Sequence, residues 1–298
     1  MHTTEHSRTA EFMAFFRALE TARRARGRLF DDPWAIGFLR PSLRGAALSA
    51  RVPGIGWALA RFIDRRWPGA RSSGVARTRF IDDALDTALA DGFDQVVVLG
   101  AGFDSRAYRL PAASRVRVFE VDHPNTSRRK QQHLRALLGQ VPAHVTFAAI
   151  DFTRERLDET LRTAGLDLAH QVFFVWEGVT QYLDGAAVDA TLRYVATAAP
   201  GSKLLFTYVD SRALEPNAGF DGMAAINRAV ENADEPWTFG FDPQALPAYL
   251  QARGLGLISD LGAADYRALY ADRTLNRAKG YEFYRIAVAE VLGKANAG

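Results

Sequence analysis

Along the chain the spacing of apolar residues changes, and each change marks a different kind of element. Near the start, Phe12, Phe15, Phe16, Leu19 and Ala22 recur at three- and four-residue intervals, the spacing of one helix face. Asp31, Asp32, Pro33 and Trp34 follow as a cap and helix start, with the proline near the first helical position. The stretch from Arg51 to Gly74 is rich in Arg, Gly and Pro and is expected to include a mobile loop. Phe80, Ala84, Leu85, Ala88 and Leu89 mark a further helix that Gly92 ends. The pattern then shifts to short continuous apolar runs at 96–99, 116–121, 145–150, 172–176 and 204–209. Such runs, separated by helix-length stretches, predict strands buried on both faces and joined by right-handed crossovers. A helix near Leu246–Arg253 and strands near 255–261 and 283–291 bring the expected strand count to seven.

The expected fold is therefore α/β: a doubly wound, seven-stranded, mostly parallel sheet whose last two strands permit an antiparallel edge. Residues 1–75 read as a helical amino-terminal cap and 76–298 as the sheet-bearing domain. Within the latter, the segment 211–243 carries Phe220, Met223, Trp237, Phe239 and Phe241. A connection that long in a compact domain is expected to be a lid.

Composition narrows the chemistry. The chain has 298 residues, 48% apolar and 24% charged, ordinary usage for a globular protein. It has no cysteine, which excludes disulfides, thiol nucleophiles, thiolate zinc and iron–sulfur centres and fits a reducing cytoplasm. The six histidines form no HExxH-type pair, so no metal site is expected. A formal charge of +3 is too small to imply nucleic-acid or membrane binding, though it suits a modestly acidic substrate. The run Arg128-Arg129-Lys130 reads as a solvated helix face. Residues 1–28 are interrupted by Glu5, Glu11, Arg17 and Glu20, unlike a signal peptide, and no apolar run approaches membrane-spanning length. A soluble cytoplasmic protein is expected; nothing fixes an oligomeric state.

The most informative stretch is VVVLGAGFDSR, residues 96–106. A buried strand feeds Gly100-Ala101-Gly102 and then a helix start, a turn in which the backbone can approach a ligand and present amides to it. The dinucleotide fingerprint wants a third glycine three residues after the second; Ser105 stands there instead. Asp122 lies 20 residues beyond Gly102, where a strand-tip acid can accept bonds from ribose hydroxyls. The plainer alternative is that Asp122 only caps the helix opening at Pro124. Acids recur at successive strand tips, Asp122, Asp151, Glu177 and Asp210. One such acid is commonplace; four along one edge suggest a ligand rich in hydroxyl, amino or cationic groups, such as S-adenosyl-L-methionine.

At these residues the chain resembles the leucine carboxyl methyltransferase family, in its bacterial branch of S-adenosylmethionine-dependent enzymes. The resemblance is carried by 76–83 (ARTRFIDD), 99–106 (LGAGFDSR), 119–124 (FEVDHP), Asp151-Phe152 and 176–183 (WEGVTQYL), with 29–33 and 235–240 in support. It implies a class I methyltransferase fold. It implies that Gly100, Ala101, Gly102 and Asp122 hold the cofactor, with Asp151 and Phe152 at adenine, Glu177 by the methionine moiety and Arg77 on its carboxylate. The family's amino-terminal lysine has no clear counterpart here, and Arg23, Arg24, Arg26 and Arg28 are the candidates to substitute for it.

The expected reaction is methyl transfer to the carboxylate of a small acidic molecule of secondary metabolism, with Tyr182, Trp237 and Phe239 bordering the acceptor. Methylation of a phenol or hydroxyl on a polyketide-like molecule is the nearest alternative. An NAD-dependent oxidoreductase and a non-catalytic nucleotide-binding module stand as readings of other classes. His123 is the one histidine placed near enough to the motifs to be weighed as a base.

Overall fold

In the computed structural model, which describes residues 8–151, 155–215, 218–223, 226, 236–270 and 280–293, the apolar runs become the seven strands of one sheet. They are β1 (Gln95–Leu99), β2 (Arg117–Asp122), β3 (Val145–Ala149), β4 (Val172–Trp176), β5 (Lys203–Val209), β6 (Leu255–Leu261) and β7 (Tyr284–Val291). The order is β3-β2-β1-β4-β5-β7-β6. Strands β1 to β5 pair in parallel, whereas β7 runs antiparallel to both β5 and β6. The antiparallel member is thus one place in from the edge, inserted between β5 and the outermost β6.

The central strands are buried on both faces because alternate side chains serve two cores. Val96, Val98, Val118, Phe173, Val175 and Leu205 point into one. Val97, Leu99, Phe119, Val121, Phe174 and Trp176 point into the other. The first is roofed by α1 (Arg8–Thr21), α2 (Pro41–Ser49), α3 (Pro53–Arg66), α4 (Ala70–Ala90) and α6 (Pro124–Leu138). The second is covered by α7 (Leu157–Thr163), α8 (Gly185–Val195) and the short helix Leu246–Gln251. A four-residue helix, α5 (Arg106–Arg109), follows the glycine turn.

The loop expected within 51–74 is replaced by helix: α3 ends at Arg66 and α4 starts at Ala70. The residues that suggested a loop serve helix starts and close packing. Pro53 occupies a first-turn position, where its missing N–H costs nothing. Gly56 approaches the preceding turn so closely that a Cβ there would lie 2.3 Å from the Ala50 carbonyl oxygen.

The basic run on α6 is corrected at one position. Lys130 is buried, its ammonium 2.8 Å from Glu120 on β2. It also lies over the Tyr108 ring, whose hydroxyl donates to Glu120. Three consecutive helical residues cannot share one face, and the third turns inward.

Candidate functional site

In an open parallel sheet, ligands bind beyond the carboxyl ends of the strands where the order reverses. Here the reversal falls between β1 and β4. Reading along that edge gives Asp151 after β3, Asp122 at the end of β2, Gly100 after β1 and Glu177 after β4.

The glycine turn adopts left-handed backbone, with φ +67° at Gly100 and +42° at Gly102. Its amides do not face outward as the sequence suggested. Gly100 and Ala101 both donate to the Val121 carbonyl, at 2.8 and 3.0 Å, and Gly102 donates to Asp122 Oδ2 at 2.5 Å. The turn is tied to β2, because helix α5 is only four residues long and begins beyond it. At Gly100 a Cβ would stand 2.3 Å from Val179 Cγ2. Glycine is therefore demanded there by side-chain packing as well as by φ. Ala10 of α1 lies on the far side of the turn, 3.5 Å from where a Gly102 Cβ would be. Ala101 itself is buried, and its carbonyl accepts from Lys130.

Asp122 accepts a second amide, that of His123, on Oδ1 at 2.7 Å. A carboxylate offers about four acceptor sites, so lone pairs remain for ligand hydroxyls after both amides are served. Burial raises its pKa even against these two backbone donors. Asp122 does not cap α6. His123 holds the N-cap position, its Nδ1 accepting from the Asn125 amide at 3.3 Å, which ties that nitrogen to helix structure. Asp151 stands beside Asp122, as the Ile150 amide donates to the Asp122 carbonyl at 2.9 Å. Phe152 lies outside the described residues. Asp210 takes the capping role, accepting from the Arg212 amide and pairing with its guanidinium.

Glu177 meets two arginines. Arg77, on α4, donates Nε to Oε1 at 2.8 Å, and Arg106, on α5, donates Nη1 to Oε2 at 2.7 Å. Burial alone would raise the Glu177 pKa, but Arg106 and Arg77 outweigh it and hold the carboxyl below its usual range. Arg77 also spreads its guanidinium over the Tyr284 ring at 4.7 Å and reaches Met13 Sδ with Nη2. Its Nη1 has no hydrogen-bond partner among the described residues.

Behind this pair lies a network that motif reading missed. Arg106 also binds Asp104 and Asp82, Arg109 binds Asp82, and Asp32 receives Arg17 Nε at 2.8 Å and Ser105 Oγ at 2.5 Å. Arg17 donates to the Phe103 carbonyl as well. The cap helix α1 is thereby latched to the glycine turn. The only sequence signal was the density of Asp and Arg in 77–83 and 104–109, which looks like ordinary helix surface until the partners fold together.

On the other side of Glu177, residues 178–183 form a bridge. The Gly178 amide donates to Thr207 Oγ1, Thr180 Oγ1 donates to the Thr207 carbonyl, and Gln181 Nε2 reaches Tyr284 OH at 3.4 Å. Tyr182 reaches Thr9 of α1 with its hydroxyl at 3.4 Å. Trp237 packs on Phe283. Phe239 instead packs edge-on to Phe241, 4.8 Å away, in the core over β5. Trp237 and Phe239, expected to border the acceptor together, thus pack in different clusters. Thr238 is pinned to the carbonyls of Gln181 and Leu183, while the Phe241 amide pairs with Val209. The segment crosses from loop to strand end, and alternate residues no longer share a side.

Among the described residues no group of three or more His, Asp or Glu side chains is placed to hold a metal, and no helix is long and apolar enough to cross a membrane.

Comparison with known proteins gives the arrangement relatives. The leucine carboxyl methyltransferase family model matches residues 10–196. Two Frankia alni proteins, provisionally named S-adenosyl-L-methionine-dependent methyltransferases, are 39% identical over 201 residues and 36% identical over 242. The alignments cover 67% of this chain and 68% of the first relative, and 80% and 82% for the second. A provisionally named methyltransferase of Thermobifida fusca superposes with TM-score 0.56 at 17% identity, over 98% of this chain and all of that one. A DUF574-family protein of Streptomyces avermitilis gives TM-score 0.59 at 15% identity, over 93% and 96%. These two likenesses show the fold.

Proposed function

The chain belongs to the leucine carboxyl methyltransferase family and is an S-adenosyl-L-methionine-dependent methyltransferase; from that premise we propose that it methylates the carboxylate of a small acidic molecule of secondary metabolism. The expectation of an oxidoreductase is set aside with it. The residues present fit the cofactor. Asp122 keeps lone pairs for the ribose hydroxyls, with Asp151 next to it on the adenine side. Glu177, held ionised, suits the ammonium, and the spare Nη1 of Arg77 suits the carboxylate of the methionine moiety. Gly100, Ala101 and Gly102 form a floor rather than an anion-binding nest.

When bound, the cofactor supplies an electrophilic methyl carbon on a sulfonium that is already a good leaving group. The protein's part is to orient the acceptor in line and exclude water, effects worth up to ~7–11 kcal/mol in favourable cases. The observation that carries the choice of carboxylate is the state of Glu177. Both its oxygens accept from arginines, and its pKa is depressed, so it is a poor proton acceptor. A carboxylate is ionised near neutrality and needs no base, whereas a phenol with pKa near ~10 does. The transfer would exchange one carbon–sulfur bond for one carbon–oxygen bond, and with an acceptor that is already ionised neither Glu177 nor any other protein group would have to take a proton.

Turnover of methyl-labelled cofactor against paired carboxylic acids and phenols tests this. Base-labile methyl esters are expected; base-stable ethers as the sole product would refute the carboxylate assignment.

A further inference from the structure

The outer side of the helical cap carries a feature that the methyl-transfer site does not use. Among the described residues nine large apolar side chains are exposed, and five of them, Leu48, Val52, Ile55, Trp57 and Phe62, fall in one stretch of α2 and α3. Trp57 and Phe62 are the most exposed of the nine, at 65% and 61%. The cause lies in the helix period. Gly56, Leu59 and Ile63 turn inward at three- and four-residue spacing, and Ile63 is buried in the first core. Ile55, Ala58 and Phe62 repeat that spacing on the outer side, with Trp57, Arg61 and Arg65 in the adjacent row, and all six are exposed. One apolar row suffices to join a helix to a core; α3 has a second that nothing covers.

Charge gathers on the same surface. Residues 40–66 hold six arginines and a single acid, Asp64, which Arg71 takes at 2.7 Å. The chain-wide charge of +3 conceals this, because the remaining residues are on balance slightly acidic. Arg44, Arg51, Arg61, Arg65 and Arg66 are exposed and make no ion pair among the described residues. Arg61 and Arg66 lie instead over the rings of Trp57 and Trp67, each at 5.2 Å.

Apolar side chains that project among unpaired cations, rather than line a groove, match a surface that is both anionic and fluid. A second copy of this face would set arginine against arginine. A nucleic acid would give Leu48, Val52 and Ile55 nothing to bury against. A bilayer takes both kinds of group: rings and aliphatic side chains enter the boundary between headgroups and acyl chains, and arginine stems follow while their guanidiniums stay at the phosphates. We propose that the outer face of α3, with the turn joining it to α2, docks this protein on a membrane surface bearing anionic lipids. The helix lies in the plane of that surface and does not span it. This inference stands apart from the choice of acceptor, since it uses none of the residues of the methyl-transfer site.

The test is flotation of the full chain with vesicles of phosphatidylcholine alone and of phosphatidylcholine mixed with phosphatidylglycerol, with a short DNA duplex as a second polyanion. The anionic vesicles should bind about tenfold or more tightly than the neutral ones, and high salt should weaken that binding. Arg61→Gln with Arg65→Gln should weaken it by about tenfold or more. Trp57→Ser with Phe62→Ser should weaken it to a similar degree while leaving the salt dependence in place. S-adenosylhomocysteine affinity, measured on each variant, should stay at the wild-type value and certify the fold. Equal binding to both vesicle types, or anionic binding that survives the loss of Trp57 and Phe62, overturns the proposal. Retention of the duplex without flotation overturns it in favour of a nucleic acid. A dimer that Trp57→Ser with Phe62→Ser dissolves, in a protein that ignores vesicles, overturns it in favour of a second copy.

Discussion

Arg77 and Glu177 stand 100 positions apart in the sequence and meet at 2.8 Å, Nε to Oε1, at the point where the strand order reverses. The arginine arrives on a long helix from the cap side and the glutamate on the tip of β4. Arg106 takes the second carboxylate oxygen, and the two arginines hold the Glu177 carboxyl below its usual range despite burial.

The ribose assignment of Asp122 is open to direct measurement. Asp122→Asn preserves shape but removes charge and one acceptor, and should weaken S-adenosylhomocysteine binding by roughly 1–3 kcal/mol. Calorimetric titration reads this as about five- to 150-fold in Kd. An unchanged Kd would place the ribose elsewhere.

Because burial raises the Asp122 pKa, its protonation on acidification begins at higher pH than for an ordinary aspartate near ~3.9. Protonation removes a charged acceptor, so cofactor affinity should fall as pH is lowered through that raised value. The same titration with Asp122→Asn should be flatter over this range. Parallel pH profiles for the two proteins would contradict the assignment.

Stability in acid follows from the opposite shift. Asp32, Asp104 and Glu177 are all held below their usual range: burial pushes each up, but Arg17 and Arg109 outweigh it at Asp32, Arg106 and Lys130 at Asp104, and Arg106 and Arg77 at Glu177. A carboxyl with a depressed folded pKa contributes stability that is present above its unfolded value, about 4 here, and is lost as pH falls through the folded value. Urea midpoints should therefore drop steeply below about pH 4.5. Arg106→Gln, which strips a buried partner from Asp82, Asp104 and Glu177 together, should cost about 3–5 kcal/mol at neutral pH. It should also shallow the acid dependence; a variant as stable as the parent would show the network to be dispensable.

Gly100 offers a steric test. Gly100→Ala places a methyl against Val179 Cγ2 and strains a left-handed residue. Destabilisation of roughly 1–3 kcal/mol from overpacking is expected, with a further ~1–2 kcal/mol from backbone strain. Adding Val179→Ala should recover only the packing part. Full recovery, or none, in the double variant would mean that one of the two causes is absent.

Local pattern carried much of this protein. Strand runs such as 96–99 and 172–176 were legible because a parallel sheet covered on both faces demands uninterrupted apolar residues, and acids at the strand tips were legible because the runs stop there. The glycine turn and Asp122 could be paired by spacing alone, since one strand–helix–strand unit fixes their separation. Pro53 and Gly56 misled for the same local reason: residues that break helices elsewhere begin or pack one here.

What only the tertiary structure decided are the relationships between distant segments. No periodicity tells that Lys130 turns inward to Glu120, that Trp237 and Phe239 part company, or that Asp32 holds Arg17 and Ser105 together. The direction of the glycine amides was equally hidden, because it depends on where the β2 carbonyl lies once the strands pair. Sequence sets which groups are available through backbone preference and apolar period. Which of them meet, lose water and shift their charge is settled when separate elements close on the same space.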